Sequence, residues 1–151
     1  MKKKIIILEN IRSMQNVGAI FRNADGAGFD KIILVGQTPT PPRGDIEKTA
    51  LGAEDYINWE YYENIFVVLN NLKNDGFQIF AVELTKDAID YKTLFNLNLD
   101  KICLIVGNEI LGISQEVLDF CDKHIIIPMV GKKNSLNVSV AAGIVMYALV
   151  N

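Results

Sequence analysis

Histidine occurs once in the chain, at His124, with no cysteine or carboxylate at ligand spacing around it, so a metal centre and a histidine-based triad have no residues to build on. The two cysteines, Cys103 and Cys121, sit beside apolar residues in no metal-ligand pattern. They read as small buried hydrophobes of a reduced, cytoplasmic protein rather than as a disulfide framework. No Gly-x-Gly-x-x-Gly follows the first apolar run, which argues against an ordinary dinucleotide site, and no phosphate-cradling Walker loop or nucleophile elbow occurs. Long apolar runs are missing too. The opening Met1-Lys2-Lys3-Lys4 and Ile5–Leu8 have the charge order of a signal peptide, but the run stops at Glu9, too short for a secretory or membrane segment. Charge of one sign is also scarce: 15 basic against 18 acidic residues give a formal net charge of −3, which excludes a nonspecific polyanion binder but not a local basic patch.

What remains is 151 residues of 50% hydrophobic content, enough for one domain with its own core. Strand-like and helix-like segments alternate. Ile5–Leu8 reads as a strand, Asn16–Ala27 as a helix ended by Gly28, and Lys31–Val35 as a second strand closed by Gly36. Asn64–Asn74 carries Ile65, Val68, Leu69 and Leu72 at helical spacing and stops at Gly76. Phe77–Glu83, Ile102–Val106 and Ile125–Ile127 read as further strands, and Val138–Leu149 as a final helix. Continuous apolar strands separated by helices predict an α/β fold, a parallel sheet covered on both faces. Three of the four prolines fall in Gln37–Gly44, expected to be an extended surface loop. Lys86–Asp100 has no legible pattern.

Polar clusters interrupt this scaffold just past predicted strands, where open parallel sheets bind ligands. One runs from Glu9 to Gly18 and on to Arg22, an arginine on a packing helix that suits either snorkelling or phosphate recognition. The second is Val106-Gly107-Asn108-Glu109-Ile110-Leu111-Gly112-Ile113-Ser114. In the third, Ile127-Pro128-Met129 crosses a short polar loop to Ser135-Leu136-Asn137, with Ser135 or Asn134 expected to cap the final helix. That helix carries no charge, so it is expected to be buried in the core or against a second subunit. Without histidine or metal, such residues suit positioning and charge stabilisation around an already activated electrophile.

Taken together and in this order, the clusters resemble the three motifs of the SpoU (TrmH-like) family of the SPOUT superfamily. Asn16-Val17-Gly18-Ala19-Ile20-Phe21-Arg22 matches the first motif, Ile105–Ser114 the second, and Ile127-Pro128-Met129 with Ser135–Gly143 the third. Lys48–Glu54 is also similar to the stretch between the first two. The resemblance implies a Rossmann-like parallel sheet whose C-terminal part is threaded into a trefoil knot. It also implies transfer of methyl from S-adenosylmethionine to an RNA ribose 2′-hydroxyl, and a homodimer formed through the C-terminal helix and knot. The implied cofactor positions are Gly107, Ile127, Met129 and Leu136, with a contribution from near Leu84. The implied catalytic and structural polar positions are Asn16, Arg22, Glu109, Ser135 and Asn137.

Within that reading, Arg22 either takes the hydroxyl proton or binds the neighbouring phosphate and stabilises alkoxide charge. The second role suits a guanidinium with a pKa above about 12. Ser135 and Asn137 are expected to orient Arg22 or the nucleotide, Asn16 to fix its loop, and Glu109 to orient Arg22 or substrate or to be structural. Affinity for a transfer or ribosomal RNA is assigned to Arg12, Arg22, Arg43, Lys48, Lys132 and Lys133, with Phe21 or the Trp59-Tyr61-Tyr62 run as stacking partners. The chain is expected to be a single methyltransferase domain over 1–151, with no separate RNA-binding domain, no metal and no membrane segment. Two other classes fit fewer of these residues: a noncatalytic knotted RNA-binding or assembly protein, and a different nucleotide-binding α/β enzyme.

Overall fold

The computed structural model describes residues 2–150. In chain order the strands are β1 (Lys3–Glu9), β2 (Lys31–Val35), β3 (Asn58–Tyr62), β4 (Gln78–Val82), β5 (Ile89–Asp90), β6 (Lys101–Val106) and β7 (Lys123–Ile126). The helices are α1 (Met14–Ala27), α2 (Gly44–Ala50), α3 (Ile65–Asn74), α4 (Gln115–Phe120) and α5 (Val138–Ala148). The strands form one sheet in the order β3-β2-β1-β6-β4-β7-β5, with every pairing parallel.

Side chains alternate across a strand, so a run such as Ile5-Ile6-Ile7-Leu8 must supply both faces at once. It does: Ile6 and Leu8 join Ile32, Leu34, Phe80 and Leu104 under α1 and α5, while Ile5 and Ile7 join Ile33, Val35, Ile79 and Ile105 under α3 and α4. The helices covering the first face approach closely. A Cβ at Gly18 of α1 would collide with the Ile46 carbonyl and Thr49 Oγ1 of α2, so glycine there permits the contact. Cys103 is buried, and burial pushes its thiol well above the ordinary value; Cys121 is pushed to about 12, chiefly by burial. Both are inert neutral thiols at neutral pH.

One feature differs from expectation, and two segments without a legible pattern take on a structure. Neither Asn134 nor Ser135 caps the last helix. Asn137 does, its Oδ1 accepting from the amides of Ser139 at 2.9 Å and Val140 at 3.4 Å, because the helix begins at Val138 and a cap must precede it directly. Lys86–Asp100 contains the two-residue strand β5 and a 3-10 turn over Tyr91–Asn96, both too short for a period to show. The Trp59-Tyr61-Tyr62 run lies in an edge strand, β3, where Asn58 and Glu60 break the apolar pattern.

The loops at the carboxyl ends of β1 and β2 are locked together by one buried polar side chain. Thr38, 3% exposed, shares its hydroxyl proton between the carbonyls of Leu8 at 2.9 Å and Val35 at 2.8 Å, and accepts from the Ile11 amide at 3.1 Å. Thr38→Val keeps the shape but leaves these groups unpaired. We expect a loss of about 2 kcal/mol, read as a lowered urea midpoint at constant slope. A midpoint within error of the parent would mean that water reaches them.

Candidate active site

The loops following β4, β6 and β7 and the start of α5 enclose a cavity of about 460 Å³. That volume lies within the range of about 300–1,000 Å³ usual for small-molecule sites. All five positions named as cofactor contacts line it: Leu84, Gly107, Ile127, Met129 and Leu136. Glu109, Ser135 and Asn137 line it as well; Asn16 and Arg22 do not.

The motifs are tied together by hydrogen bonds that centre on Glu109. Its Oε1 accepts from the Arg12 amide and its Oε2 from the Ser13 amide, each at 3.0 Å. Asn16 Nδ2 donates to the same Oε2 at 3.0 Å, and Asn16 Oδ1 accepts from Asn137 Nδ2 at 3.3 Å. Asn137, capping α5, also accepts from the Ser139 hydroxyl at 2.6 Å. One residue from each motif is thus joined in a single line, Glu109 to Asn16 to Asn137. Burial pushes the Glu109 carboxyl up, but the donors from Arg12, Ser13 and Asn16 together outweigh it and hold the group below its ordinary value. A carboxylate so held is a weak base and a good anchor.

Arg22 stands apart. It is exposed on α1, and among the described residues it makes no hydrogen bond or ion pair, so Glu109, Ser135 and Asn137 do not orient it within this chain. Its neighbour Asn23 donates to the Ser139 carbonyl at 3.0 Å, and a Cβ on Gly26 would meet the Tyr147 hydroxyl. Arg22 therefore flanks the line along which α1 packs on α5. Ser135 hangs in an open loop without a partner among the described residues.

The proposed RNA contacts divide. Arg12 and Arg43 line one hollow beside Trp59 and Tyr61. Lys48 is exposed and pairs with Asp45 at 3.2 Å, an i,i+3 contact of small energetic weight. Lys132 and Lys133 are exposed in the loop before α5.

Several residues that shape the site carry no motif of their own. Asn10 adopts a left-handed conformation (φ 55°), which asparagine tolerates, and its Oδ1 accepts from the Gln37 amide at 2.9 Å. Asn108 Nδ2 donates to the Asn10 carbonyl at 2.8 Å, while its Oδ1 accepts from the amides of Ile110 and Leu111, folding the second loop into an Asx-type turn. Glu83 lines the cavity and accepts from the Ile113 amide at 2.9 Å. The Gly107-Asn108-Glu109 sequence signals the Asx turn; nothing local signals Glu83. No group of three or more potential metal ligands occurs among the described residues, and no helix there is long and apolar enough to cross a membrane.

Comparison with known proteins adds to this geometry. Residues 3–147 match the model of the SpoU rRNA Methylase family. The chain is 36% identical over 144 residues to a Staphylococcus epidermidis protein named for the TrmH family of tRNA/rRNA methyltransferases, covering 95% of this chain and 56% of that one. It is 32% identical over 142 residues to the tRNA (guanosine(18)-2′-O)-methyltransferase of Escherichia coli, covering 94% and 60%. The chain thus spans little more than half the length of these relatives. Among solved structures, the A. aeolicus TrmH/SpoU tRNA modifying enzyme superposes with a TM-score of 0.86 at 32% identity, over 99% of this chain and 74% of that one. An AdoMet-bound rRNA methyltransferase from Sinorhizobium meliloti gives 0.88 at 27% identity, over 97% and 55%.

Proposed function

The chain belongs to the SpoU rRNA Methylase family, and from that premise we propose that it transfers methyl from S-adenosylmethionine to a ribose 2′-hydroxyl of a transfer or ribosomal RNA, as a cytoplasmic homodimer. The observation that carries this reading is the charge of the cavity. Two carboxylates, Glu83 and Glu109, line it together with Leu84, Ile127 and Leu136, and no lysine or arginine does. Such a cavity suits a ligand of net positive charge that carries both apolar and hydrogen-bonding groups, and it has no cationic side chain for a nucleotide phosphate, which tells against a nicotinamide nucleotide. Residues 128–136 beside it make no hydrogen bond to the rest of the chain among the described residues, so their backbone groups are free to meet a ligand. The cofactor therefore fits, and Gly107, Ile127, Met129 and Leu136 would hold it.

S-adenosylmethionine, when bound, supplies a methyl group that its sulfonium already makes electrophilic. What the chain must add is position and charge. Asn16 and Asn137 hold the start of α1 against the start of α5, and Glu109 ties the amides of residues 12–13 to the second loop. Arg22, permanently cationic, binds the phosphate beside the target ribose and stabilises negative charge developing on its oxygen. Glu109, accepting from three donors and held below its ordinary value, is a positioning residue rather than the base, so the hydroxyl proton passes to solvent water.

Dimerisation rests on the open face of α5 and the nearby loops. Val140 is 49% and Tyr147 53% exposed on the helix, and Val130 and Ile110 stand almost wholly in solvent beside the cavity. A second copy is the occupant that would cover this apolar surface, which Arg22 flanks from α1.

Methyl transfer from labelled S-adenosylmethionine to separate transfer and ribosomal RNA pools, with 2′-O-methyl nucleosides identified by mass spectrometry, tests the reading. Incorporation into one pool is expected. Cofactor binding without incorporation into either pool would favour a noncatalytic RNA-binding role, and absence of cofactor binding would end the proposal.

A further inference from the structure

A second hollow, of about 600 Å³, lies between the loop after β2 and the edge strand β3. Trp59 and Tyr61 are two residues apart and so stand on the same face of β3, in register with Ile32 and Leu34 of β2. Trp59 packs partly on the core, whereas Tyr61 is 44% exposed, its hydroxyl donating to the Gly36 carbonyl at 2.6 Å. Arg12 and Arg43 complete the wall. No aspartate or glutamate lines the hollow. Neither arginine forms an ion pair among the described residues; Arg12 Nη1 donates only to Gln37 Oε1, at 3.3 Å. In a chain of formal charge −3, two unpaired guanidinium groups beside two aromatic rings are a local exception.

The hollow is also mechanically joined to the first cavity. The amide of Arg12 is held by Glu109, which lines that cavity, and the floor is pinned through Thr38 to the Ile11 amide. A ligand here is therefore held in fixed register with the first site.

We propose that this hollow is a subsite for one unpaired nucleotide next to the target ribose, its base against Trp59 and Tyr61 and its flanking phosphates on Arg12 and Arg43. The inference rests on the RNA methyltransferase reading above and narrows its substrate. A base inside a duplex cannot present its face to an aromatic side chain, so the RNA must be single-stranded at this position. Two cations fit two successive phosphates, and an aromatic platform accepts any base, so the subsite selects unpaired structure rather than sequence.

Trp59 is the chain's one tryptophan, so its emission reports directly on the subsite. Titration of the full chain with a hairpin RNA bearing an unpaired loop should quench this emission saturably, and a blunt duplex of equal length should not. Tyr61→Ala should weaken hairpin binding about tenfold with an unchanged salt dependence. Arg12→Ala and Arg43→Ala should each weaken it and lower the slope of log affinity against log salt by about 0.7, the loss of one phosphate contact. Calorimetric affinity for S-adenosylmethionine should stay at the parental value in all three, and the melting temperature in the two arginine variants; Tyr61→Phe, which keeps the ring and loses only the bond to the Gly36 carbonyl, should bind the hairpin as the parent does. Hairpin binding with unchanged Trp59 emission, or a parental salt slope in both arginine variants, would overturn the subsite. If methyl transfer still occurred in that case, the functional reading would stand without it. A failure of the parent to bind hairpin RNA while it still methylates an RNA pool would overturn the subsite alone, whereas absence of cofactor binding would overturn the functional reading and, with it, the target ribose beside which the subsite is placed.

Discussion

Replacing Arg22 with alanine should lower the rate of methyl transfer about a thousandfold, the upper end of what removing one charge-stabilising group costs. Folding should hardly change. The side chain is exposed and makes no hydrogen bond or ion pair among the described residues, and surface substitutions of that kind usually lie within about 0.5 kcal/mol. Cofactor affinity should also survive, because Arg22 does not line the cavity. The combination of lost turnover, retained cofactor binding and an unmoved melting temperature is the signature of a residue that meets only the RNA and the transition state. Arg22→Lys separates two ways of serving that state: it keeps the charge but loses the planar fork, so a partial recovery means charge and none means bidentate geometry. Single-turnover measurement with saturating RNA reads the step directly. Parental turnover in Arg22→Ala would remove the residue from the chemistry, and a large drop in melting temperature would make it architectural.

That an exposed, unbonded arginine is the residue with the largest expected effect explains much of what the sequence could and could not convey. Strands buried on both faces, such as Ile5–Leu8 and Ile102–Val106, are legible because a covered parallel sheet forces uninterrupted apolar runs. Helix ends marked by Gly28 and Gly76 are legible because a left-handed residue favours glycine, and φ is 69° and 89° there. The strand β3 is not, since an edge strand needs only one good face, and its alternation of Trp59 and Tyr61 with Asn58 and Glu60 is too short to declare itself. Thr38 and Glu83 were invisible for another reason. Each works through partners about thirty residues away, and no local period encodes such a distance. The five cofactor positions Leu84, Gly107, Ile127, Met129 and Leu136 follow from resemblance to a family, not from local pattern. Composition and spacing alone led only to the carboxyl edge of the sheet.

The same long-range character makes Glu109 the second place where a single change should have a large effect. Its bonds to Arg12, Ser13 and Asn16 span more than ninety positions of sequence. Glu109→Ala frees residues 12–13 from the second loop and leaves the Asn16 side chain held only by Asn137. The stability loss should be small, about 1 kcal/mol, because the group is exposed and water can replace it at the freed amides. The rate should fall about a hundredfold, since an ångström of misplacement at a reacting site costs about that much. A fall in rate far beyond the fall in stability marks a positioning residue.

Its titration gives an independent check with a definite sign. The carboxyl is held below its ordinary value of 4.5 in the folded chain, so the folded state favours the charged form. The stabilisation is therefore complete above that ordinary value and is lost as pH falls through the lower folded one. Glu9, raised by burial, works in the opposite sense, so the parent's stability curve alone mixes the two. Subtracting the curve of Glu109→Gln removes Glu9 and the other common groups. The difference in unfolding free energy should be level from neutral pH down to the ordinary carboxylate value and shrink below it. A difference that stays level through the acid range would mean the charged form is not what holds the loop, and the rate loss would then have to come from contact with substrate.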